Sequence, residues 1–228
     1  MLGHDNHIVV VIGQIRSGTS AIADILHHLC VPMGVSFVAP MPPVWRFEWE
    51  DTPLALKLSQ HEFFRDSVHR SDGLLSWFRD YLWTRTRHAR DVWKTDRWGM
   101  KQPLLTVYAD MLLPELSLAA SRLTVIQTIR DQAAIDGSVE SVFPPGLREK
   151  ALAANTAIRN RLPDIHCDFK VNYDLMVVQP REWVEQIAEL VGVRDAESIA
   201  RAVGRVGVPT WHGSAHSSGP AHQPVVPT

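Results

Sequence analysis

Residues 8–29 combine three features in an order that strongly restricts the fold of the chain. Residues 8–12 are five consecutive β-branched residues, which is typical of a strand buried on both faces of a parallel sheet. A loop of small and polar residues follows, and from Ser20 apolar residues recur at steps of three and four, which predicts a helix. Free N–H groups and the positive end of the helix dipole point into such a loop. The segment therefore predicts a phosphate- or sulfate-binding turn, although an ordinary strand–helix turn uses the same small residues.

The loop nearly matches the phosphate-binding motif GxxxxGK[ST] of nucleoside triphosphatases, with Gly13 and Gly18 in register. Thr19 stands where that motif has the lysine that reaches the β- and γ-phosphates, and the cation of the loop is Arg16. A nucleotide or small-molecule kinase would need that lysine and an acidic Mg²⁺ ligand after a hydrophobic strand. The run 129–131, Ile-Arg-Asp, supplies only a poor version of that acidic ligand. Such a kinase is one alternative function, and a non-catalytic nucleotide-binding module of the same fold is another.

Composition limits the domain organisation and the partners. With 228 residues and 45% hydrophobic content, the chain can bury one substantial core, which predicts a single α/β domain at 1–207. We expect a lid or acceptor-binding region at about 40–98, which holds six of the eight tryptophans, and a disordered tail at 208–228, rich in His, Ser, Gly and Pro. The net charge of −2 gives no reason to expect nucleic-acid binding.

Cysteine, histidine and hydropathy patterns narrow the functional classes further. The two cysteines and eleven histidines show no ligand or disulfide spacing, so neither a disulfide framework nor a metal site is expected. No stretch resembles a signal peptide or reaches membrane-spanning length, so no membrane partner is expected. The sequence therefore predicts a soluble, cytoplasmic protein, and it leaves the oligomeric state open.

Alternating strand and helix patterns predict a doubly wound, five-stranded parallel sheet with helices on both faces, as in P-loop NTPases. The predicted strands lie at 8–12, 35–38, 98–101, 123–129 and 167–171. The predicted helices begin at Ser20 and Thr52, cover about 74–92, 103–116, 131–143 and 147–161, run from Pro180 to Gly192, and end with about 195–206. Ligands of such sheets bind at the carboxyl ends of the strands. Because Arg16, Lys101 and Arg130 end or follow three of these strands, we expect three cations to converge on one crevice.

A second anion site is predicted beside the first loop. Arg130 follows the predicted strand 123–129 directly, and Ser138 comes eight residues later, two turns along the next helix. An arginine at a strand exit and a serine at this spacing can face the same crevice. The sequence therefore predicts two separate anion-binding elements in one site.

With these two elements, residues 8–192 resemble the sulfotransferases that use 3′-phosphoadenosine 5′-phosphosulfate. In that family a G-x-x-[RK]-S-G-T-[ST] loop holds the 5′-phosphosulfate, and the loop from Gly13 to Ser20 fits it. The resemblance implies that the cofactor-binding residues of this loop are Gly13, Arg16, Ser17, Gly18, Thr19 and Ser20. It also assigns the 3′-phosphate to Arg130 and Ser138 and places Tyr173 near the adenine. For Tyr173, simple core packing is the alternative role.

The resemblance implies in-line transfer of a sulfuryl group to a hydroxyl or amine of a small-molecule or glycan acceptor, with no metal required. Arg16 and Lys101 would stabilise the developing negative charge, although Lys101 could instead serve in a structural ion pair. We predict Glu50 as the base that removes the acceptor's proton, with Glu48 and Asp51 as rivals. A helix-capping or surface carboxylate is the alternative role of Glu50.

Two departures from the family pattern stand out. Some sulfotransferases carry a Lys-x-His motif whose histidine is the base, and here Lys101 is present but Pro103 replaces the histidine. The glycine-rich segment that closes over the cofactor near the C-terminus of some members is not evident. A base other than histidine is therefore required by this interpretation.

Overall fold

The computed structural model describes residues 6–34, 52–63 and 71–207, and in these ranges strands and helices alternate as predicted. The strands are β1 (His7–Ile12), β2 (Arg97–Lys101), β3 (Arg122–Ile129) and β4 (Phe169–Asn172). The helices are α1 (Thr19–His28), α2 (Thr52–Phe63), α3 (Ser71–Asp91), α4 (Ala109–Ala119), α5 (Gln132–Val142), α6 (Pro145–Arg161), α7 (Tyr173–Val178), α8 (Pro180–Val191) and α9 (Ala196–Val203). Two short 3₁₀ helices cover Pro103–Tyr108 and Leu162–Asp164.

The described strands form one parallel sheet in the order β2-β1-β3-β4. At the carboxyl edge, Val11 of β1 lies opposite Lys101 of β2, and Ile12 lies opposite Gln127 of β3. The prediction of five strands is therefore corrected to four within the described residues. The extra predicted strand, at 35–38, lies outside them, as does the predicted tail at 208–228.

Helices cover both faces of this sheet, which explains why β1 is buried along its whole length. Ile8, Val10 and Ile12 belong to one hydrophobic core together with residues of α3, α4 and α6. Val9 and Val11 belong to a second core with residues of α1, α8 and α9. Alternate side chains of a strand point to opposite faces, so a strand buried on both sides must be apolar throughout. The prediction of a parallel α/β sheet is confirmed.

Local signals explain most helix boundaries. Pro180 stands at the first position of α8, and Gly192 ends that helix with φ 76°, as predicted. Helix α7 is not predicted by periodicity, but the Asn172 side chain accepts a hydrogen bond from the Leu175 N–H at 3.1 Å. An Asn in front of a short polar–apolar run is an N-cap signal that predicts such a helix start. The predicted helix after Gln102 begins as a 3₁₀ helix, since the Gln102 side chain caps Leu104.

The amino ends of the strands carry arginines that meet the end of a helix. Arg122 Nη2 donates a hydrogen bond to the Leu190 carbonyl in the last turn of α8 at 2.7 Å. Arg97 Nη2 lies 3.7 Å from the position that a Cβ on Gly192 would take, just beyond the same helix. Beside them, His7 Nε2 lies 2.9 Å from Thr124 Oγ1. Burial and the positive charges of Arg122 and Arg97 lower the pKa of His7 to about 4.

A buried ion pair connects the first helix to the residues after the last one. Asp24 of α1 is only 1% exposed, and its Oδ2 accepts a hydrogen bond from Arg205 Nε at 2.8 Å. His28 Nε2 lies 3.7 Å from Asp24 Oδ1, but burial lowers the pKa of this histidine and favours its neutral form. Burying a carboxylate without a charged partner costs free energy, so the ion pair with Arg205 stabilises Asp24 at this buried position. In the described ranges, no helix is long and apolar enough to cross a membrane.

Candidate active site

The loop between β1 and α1 is the centre of the candidate site, and its backbone is unusual. Gly13, Arg16 and Gly18 have positive φ angles of 149°, 73° and 99°. A Cβ on Gly13 would overlap Thr128 Oγ1, and one on Gly18 would overlap the Tyr173 ring. Glycine is therefore required at both positions for conformation and for space. Arg16 has a Cβ, which disfavours the left-handed region, so the surrounding structure must hold it there.

Ser17 shapes the loop from within. Its hydroxyl donates a hydrogen bond to the Gln14 carbonyl at 2.8 Å and lies 2.6 Å from Thr128 Oγ1 of β3. The Ser17 N–H also donates to the Gln14 carbonyl, at 3.1 Å. Ser17 is 1% exposed and Thr19 is 3% exposed. The Ser17 side chain therefore ties the loop to β3, and the predicted contact of Ser17 and Thr19 with a cofactor stays a prediction.

Helix α1 starts without a side-chain cap. Its N-cap is Gly18, which has no side chain, and its first turn contains no acidic residue. By contrast, Asp131 caps α5 by accepting from the Ala134 N–H at 3.0 Å, and Asn172 caps α7. The N–H groups of a first helical turn lack partners within the helix and carry positive partial charge. Among these three helix starts at the carboxyl edge, α1 offers the best position for an anion.

Arg16, Arg130 and Ser138 lie together, as the sequence predicts. Arg16 Nε donates a hydrogen bond to Ser138 Oγ of α5 at 3.0 Å. Arg130 Nη1 donates to the Arg16 carbonyl at 3.2 Å. The two predicted anion-binding elements are therefore in direct contact, joined by the side chain and the backbone of Arg16.

The end of β4 holds the Arg130 side chain in place. Arg130 Nε donates to Asp174 Oδ1 at 3.3 Å, and its guanidinium carbon lies 4.9 Å from the centre of the Tyr173 ring. The same Tyr173 ring packs against Gly18. Asp174 therefore partly neutralises the charge of Arg130, and the Tyr173 ring packs against both the loop and the Arg130 guanidinium. The predicted contact of Tyr173 with an adenine stays a prediction.

Lys101 lies at the carboxyl edge but is enclosed. It ends β2 opposite Val11 and is 3% exposed. The Lys101 side chain is therefore buried and does not move freely in solvent. Its predicted role in charge stabilisation stays a prediction. The predicted base, Glu50, and its rivals Glu48 and Asp51 lie outside the described residues. In the part of the chain that the structure describes, no three His, Cys, Asp or Glu side chains converge as a metal site would require.

Two amides support the loop from the helices behind it, and the sequence interpretation missed both. Asn155 of α6 accepts from the Ile15 N–H at 2.7 Å and donates to the Ile15 carbonyl at 3.0 Å. Gln14 Nε2 donates to Gln132 Oε1 of α5 at 3.1 Å. The one hint in the sequence is that Asn155 falls on the apolar side of its helix, beside Ala151, Ala154 and Ile158, which are buried with it.

No family model and no curated protein matches this sequence significantly. Among solved structures, the sulfotransferase domain of the olefin synthase from Synechococcus PCC 7002 is similar, with 16% identity, a TM-score of 0.50, and coverage of 88% of this chain and 78% of that one. A sulfotransferase from Mycobacterium tuberculosis H37Rv matches at 15% identity and TM-score 0.49, over 88% of this chain and 71% of that one. A sugar kinase from Janibacter sp. HTCC2649 matches at 15% identity and TM-score 0.46, over 85% and 98%. At such identities the likeness is one of fold, and at this level the predicted resemblance to sulfotransferases is confirmed.

Proposed function

We propose that this chain is a sulfotransferase that moves a sulfuryl group from 3′-phosphoadenosine 5′-phosphosulfate to a hydroxyl or amine of a small-molecule or glycan acceptor. The observation that carries the proposal is the contact between the loop and the Arg130–Ser138 pair, made by the hydrogen bond from Arg16 Nε to Ser138 Oγ at 3.0 Å. Two adjoining anion-binding elements suit a nucleotide that carries anionic groups at both its 5′ and 3′ positions.

Each element takes one end of the donor in this proposal. The loop from Gly13 to Ser20 and the uncapped start of α1 bind the 5′-phosphosulfate. Arg130 and Ser138 bind the 3′-phosphate. The carboxylate of Asp174 now accepts from Arg130 at 3.3 Å, and a phosphate is the stronger partner because it brings more charge and more acceptor oxygens.

The proposed transfer requires two things of the protein, positive charge near the leaving group and one base. The acceptor oxygen or nitrogen forms a bond to sulfur while the bond from sulfur to the bridging phosphate oxygen breaks. The acceptor's proton goes to a base, which we propose to be Glu50, and the leaving bisphosphate gains negative charge. Arg16 and Lys101 stabilise that charge, together with the N–H groups at the start of α1. This scheme needs no metal ion.

A kinase has weaker support from the same geometry. Thr19, which replaces the motif lysine, is buried at 3% exposure in the first turn of α1. Asp131, the acidic residue after β3, accepts the N-cap hydrogen bond of α5. Neither residue is therefore placed to handle a triphosphate and its Mg²⁺.

Calorimetry with unlabelled nucleotides tests the donor assignment. We expect 3′,5′-bisphosphoadenosine to bind far more tightly than AMP or ADP, with no change on addition of EDTA. Equal affinity for ADP would remove the sulfotransferase proposal. Incubation with labelled donor and a panel of hydroxyl and amine acceptors then tests transfer, and tight binding without turnover would favour the non-catalytic module.

The role of Glu50 has its own test, with two neighbouring carboxylates as controls. A general base typically contributes about 10²- to 10⁴-fold in rate, so Glu50→Gln should lower turnover at least about 100-fold and leave donor affinity nearly intact. Glu48→Gln and Asp51→Asn should keep most of the activity. Near-full activity of the Glu50→Gln enzyme would contradict this assignment without affecting the donor site.

A further inference from the structure

The phosphate-binding loop is held from behind by a buried amide that the proposed chemistry does not use. Asn155 lies in the middle of α6, is 2% exposed, and makes both of its hydrogen bonds to the peptide groups of Ile15. Asparagine is a poor helix former, and a buried amide is costly unless its donor and acceptor are both satisfied. The two bonds to Ile15 give the amide oxygen and one N–H of Asn155 a partner.

These two bonds fix the orientation of the next peptide group. The Ile15 carbonyl that accepts from Asn155 Nδ2 belongs to the same peptide as the Arg16 N–H. Because that peptide is trans, the Arg16 N–H points away from Asn155. The following carbonyl, that of Arg16, accepts from Arg130 Nη1 at 3.2 Å. Asn155 and Arg130 therefore fix two successive peptides around Arg16.

Arg16 needs this support because its φ angle is 73° and it has a Cβ. A non-glycine residue in this region is strained unless its surroundings determine its conformation. With both flanking peptides held, the Arg16 side chain is directed toward Ser138 and the Arg16 N–H toward the side of the loop opposite α6. The loop is thus preorganised before any anion binds.

We propose that Asn155 is a positioning residue, which sets the Arg16 backbone and side chain for the anionic group at the 5′ side of the donor. This inference rests on the proposed function, because it takes the loop to be the 5′ site. Asn155 acts mainly on the 5′ end, where the Arg16 backbone lies, whereas the 3′-phosphate is held by Arg130 and by Ser138, which accepts from Arg16 Nε.

Binding measurements on three variants test the inference. Asn155→Ala should weaken 3′,5′-bisphosphoadenosine at least about tenfold, since one charge-assisted hydrogen bond to an anion is worth roughly 10- to 150-fold in affinity. Adenosine 3′-phosphate, which has no 5′-anion, should change by less than about threefold. Asn155→Leu is close in shape but neither accepts from the Ile15 N–H nor donates to the Ile15 carbonyl, and it should show the same selective loss at the 5′ end. Asn160→Ala, an exposed position on the same helix, is the matched control and should bind both ligands normally.

Equal weakening of both nucleotides by Asn155→Ala would show a general structural role and overturn the inference. Lack of any preference of the unsubstituted protein for 3′-phosphorylated nucleotides would instead contradict the proposed function. If Asn155→Ala does not fold, the inference is tested instead by hydrogen exchange of the Ile15 amide in the unsubstituted, ligand-free protein. The Ile15 amide should exchange at least about 100-fold more slowly than in an unstructured peptide. Exchange at the unprotected rate would overturn the inference.

Discussion

Both edges of the parallel sheet carry arginines, yet only the carboxyl edge is arranged for an anion. At the amino edge, Arg122 donates to the Leu190 carbonyl at 2.7 Å, and Arg97 lies next to Gly192, at the end of α8. At the carboxyl edge, Arg16 and Arg130 lie beside the uncapped start of α1. A helix end brings partial negative charge and a helix start brings partial positive charge. The partial charge of the neighbouring helix end is therefore opposite to that of the arginines at the amino edge and of the same sign at the carboxyl edge, where Asp174 partly offsets the charge of Arg130.

The two groups of arginines therefore differ in the sign of the partial charge on the helix end beside them. In a parallel sheet with connecting helices, helices start near the carboxyl ends of strands and finish near the amino ends. At the amino edge Arg122 donates to a carbonyl at the end of a helix, whereas the arginines at the carboxyl edge lie beside the start of one. Each of the following tests compares a change at one edge with a matched change elsewhere.

The largest effect is expected for Gly18→Ala. The new Cβ would overlap the Tyr173 ring, and the φ angle of 99° is unfavourable for alanine. We expect a loss of about 2–4 kcal/mol in the free energy of unfolding, together with weaker anion binding because Tyr173 supports Arg130. Urea unfolding and calorimetry measure the two effects. Gly137→Ala in α5 is the control, since its Cβ meets nothing within 4 Å, and it should be neutral or stabilising.

A pair of arginine variants tests the comparison directly. Arg130→Ala should weaken 3′,5′-bisphosphoadenosine by about 1.5–3 kcal/mol, roughly 10- to 150-fold, and weaken the nucleotide without the 3′-phosphate much less, through the single hydrogen bond from Arg130 to the Arg16 carbonyl. Arg122→Ala should leave both affinities unchanged and lower the free energy of unfolding by about 0.5–1 kcal/mol, since it loses one exposed bond to a helix end. If Arg130→Ala weakens both nucleotides equally, Arg130 is structural and the second anion element is misplaced.

The pH dependence of stability should report the amino edge. Above pH 6.5 His7 is neutral in both the folded and unfolded states, so its contribution is complete there. As the pH falls from 6.5 toward 4, the unfolded state takes up the proton first and the folded state is destabilised. Between pH 7 and pH 5 we expect the free energy of unfolding to fall by about 2 kcal/mol from this group.

The control for His7 is a substitution that cannot titrate. His7→Gln should remove that part of the pH dependence, whereas His166→Gln, at an exposed position, should not. Denaturant unfolding at the two pH values gives the difference. If the free energy of unfolding of the His7→Gln protein falls between pH 7 and pH 5 as much as that of the unsubstituted protein, the burial of His7 has no energetic consequence.

The smallest expected effect is a difference in stability between two variants of Arg16, and it distinguishes backbone strain from the loss of charge. Arg16→Gly and Arg16→Ala both remove the guanidinium, so both should weaken anion binding to a similar extent. Glycine accepts the φ angle of 73° without strain, and the glycine variant should therefore be more stable than the alanine variant by about 1 kcal/mol. Equal stability of the two would show that the loop relaxes once the guanidinium is removed.

The sequence is informative where a local pattern or a general rule of parallel sheets applies. Five β-branched residues at 8–12 predict the central strand, because no amphipathic element tolerates such a run. The rule that carboxyl ends share one edge predicts that Arg16, Arg130 and Ser138 meet, and their hydrogen bonds confirm that they do. The number of strands within the described residues is one fewer than the patterns predict.

Other contacts between distant residues, those that do not follow from the strand ends, were not predictable in this way. The Ser17 hydroxyl faces Thr128, which lies 111 positions away, and Asn155 reaches Ile15 across 140 positions. No periodicity links such residues, because each contact depends on how whole elements pack. The motif therefore located the loop between β1 and α1, but not which of its side chains face inward.

The buried pair of Asp24 and Arg205 also sets an order of events in time. The two residues are 181 positions apart, and Asp24 belongs to the helix that starts at the anion-binding loop. At a synthesis rate of about 5–20 residues per second, Arg205 is made about 10–40 s after Asp24. During this interval the carboxylate has no Arg205 to compensate its burial, so α1 gains little by docking early. The helix that starts at this loop is therefore completed by a residue that lies after the last helix of the described chain.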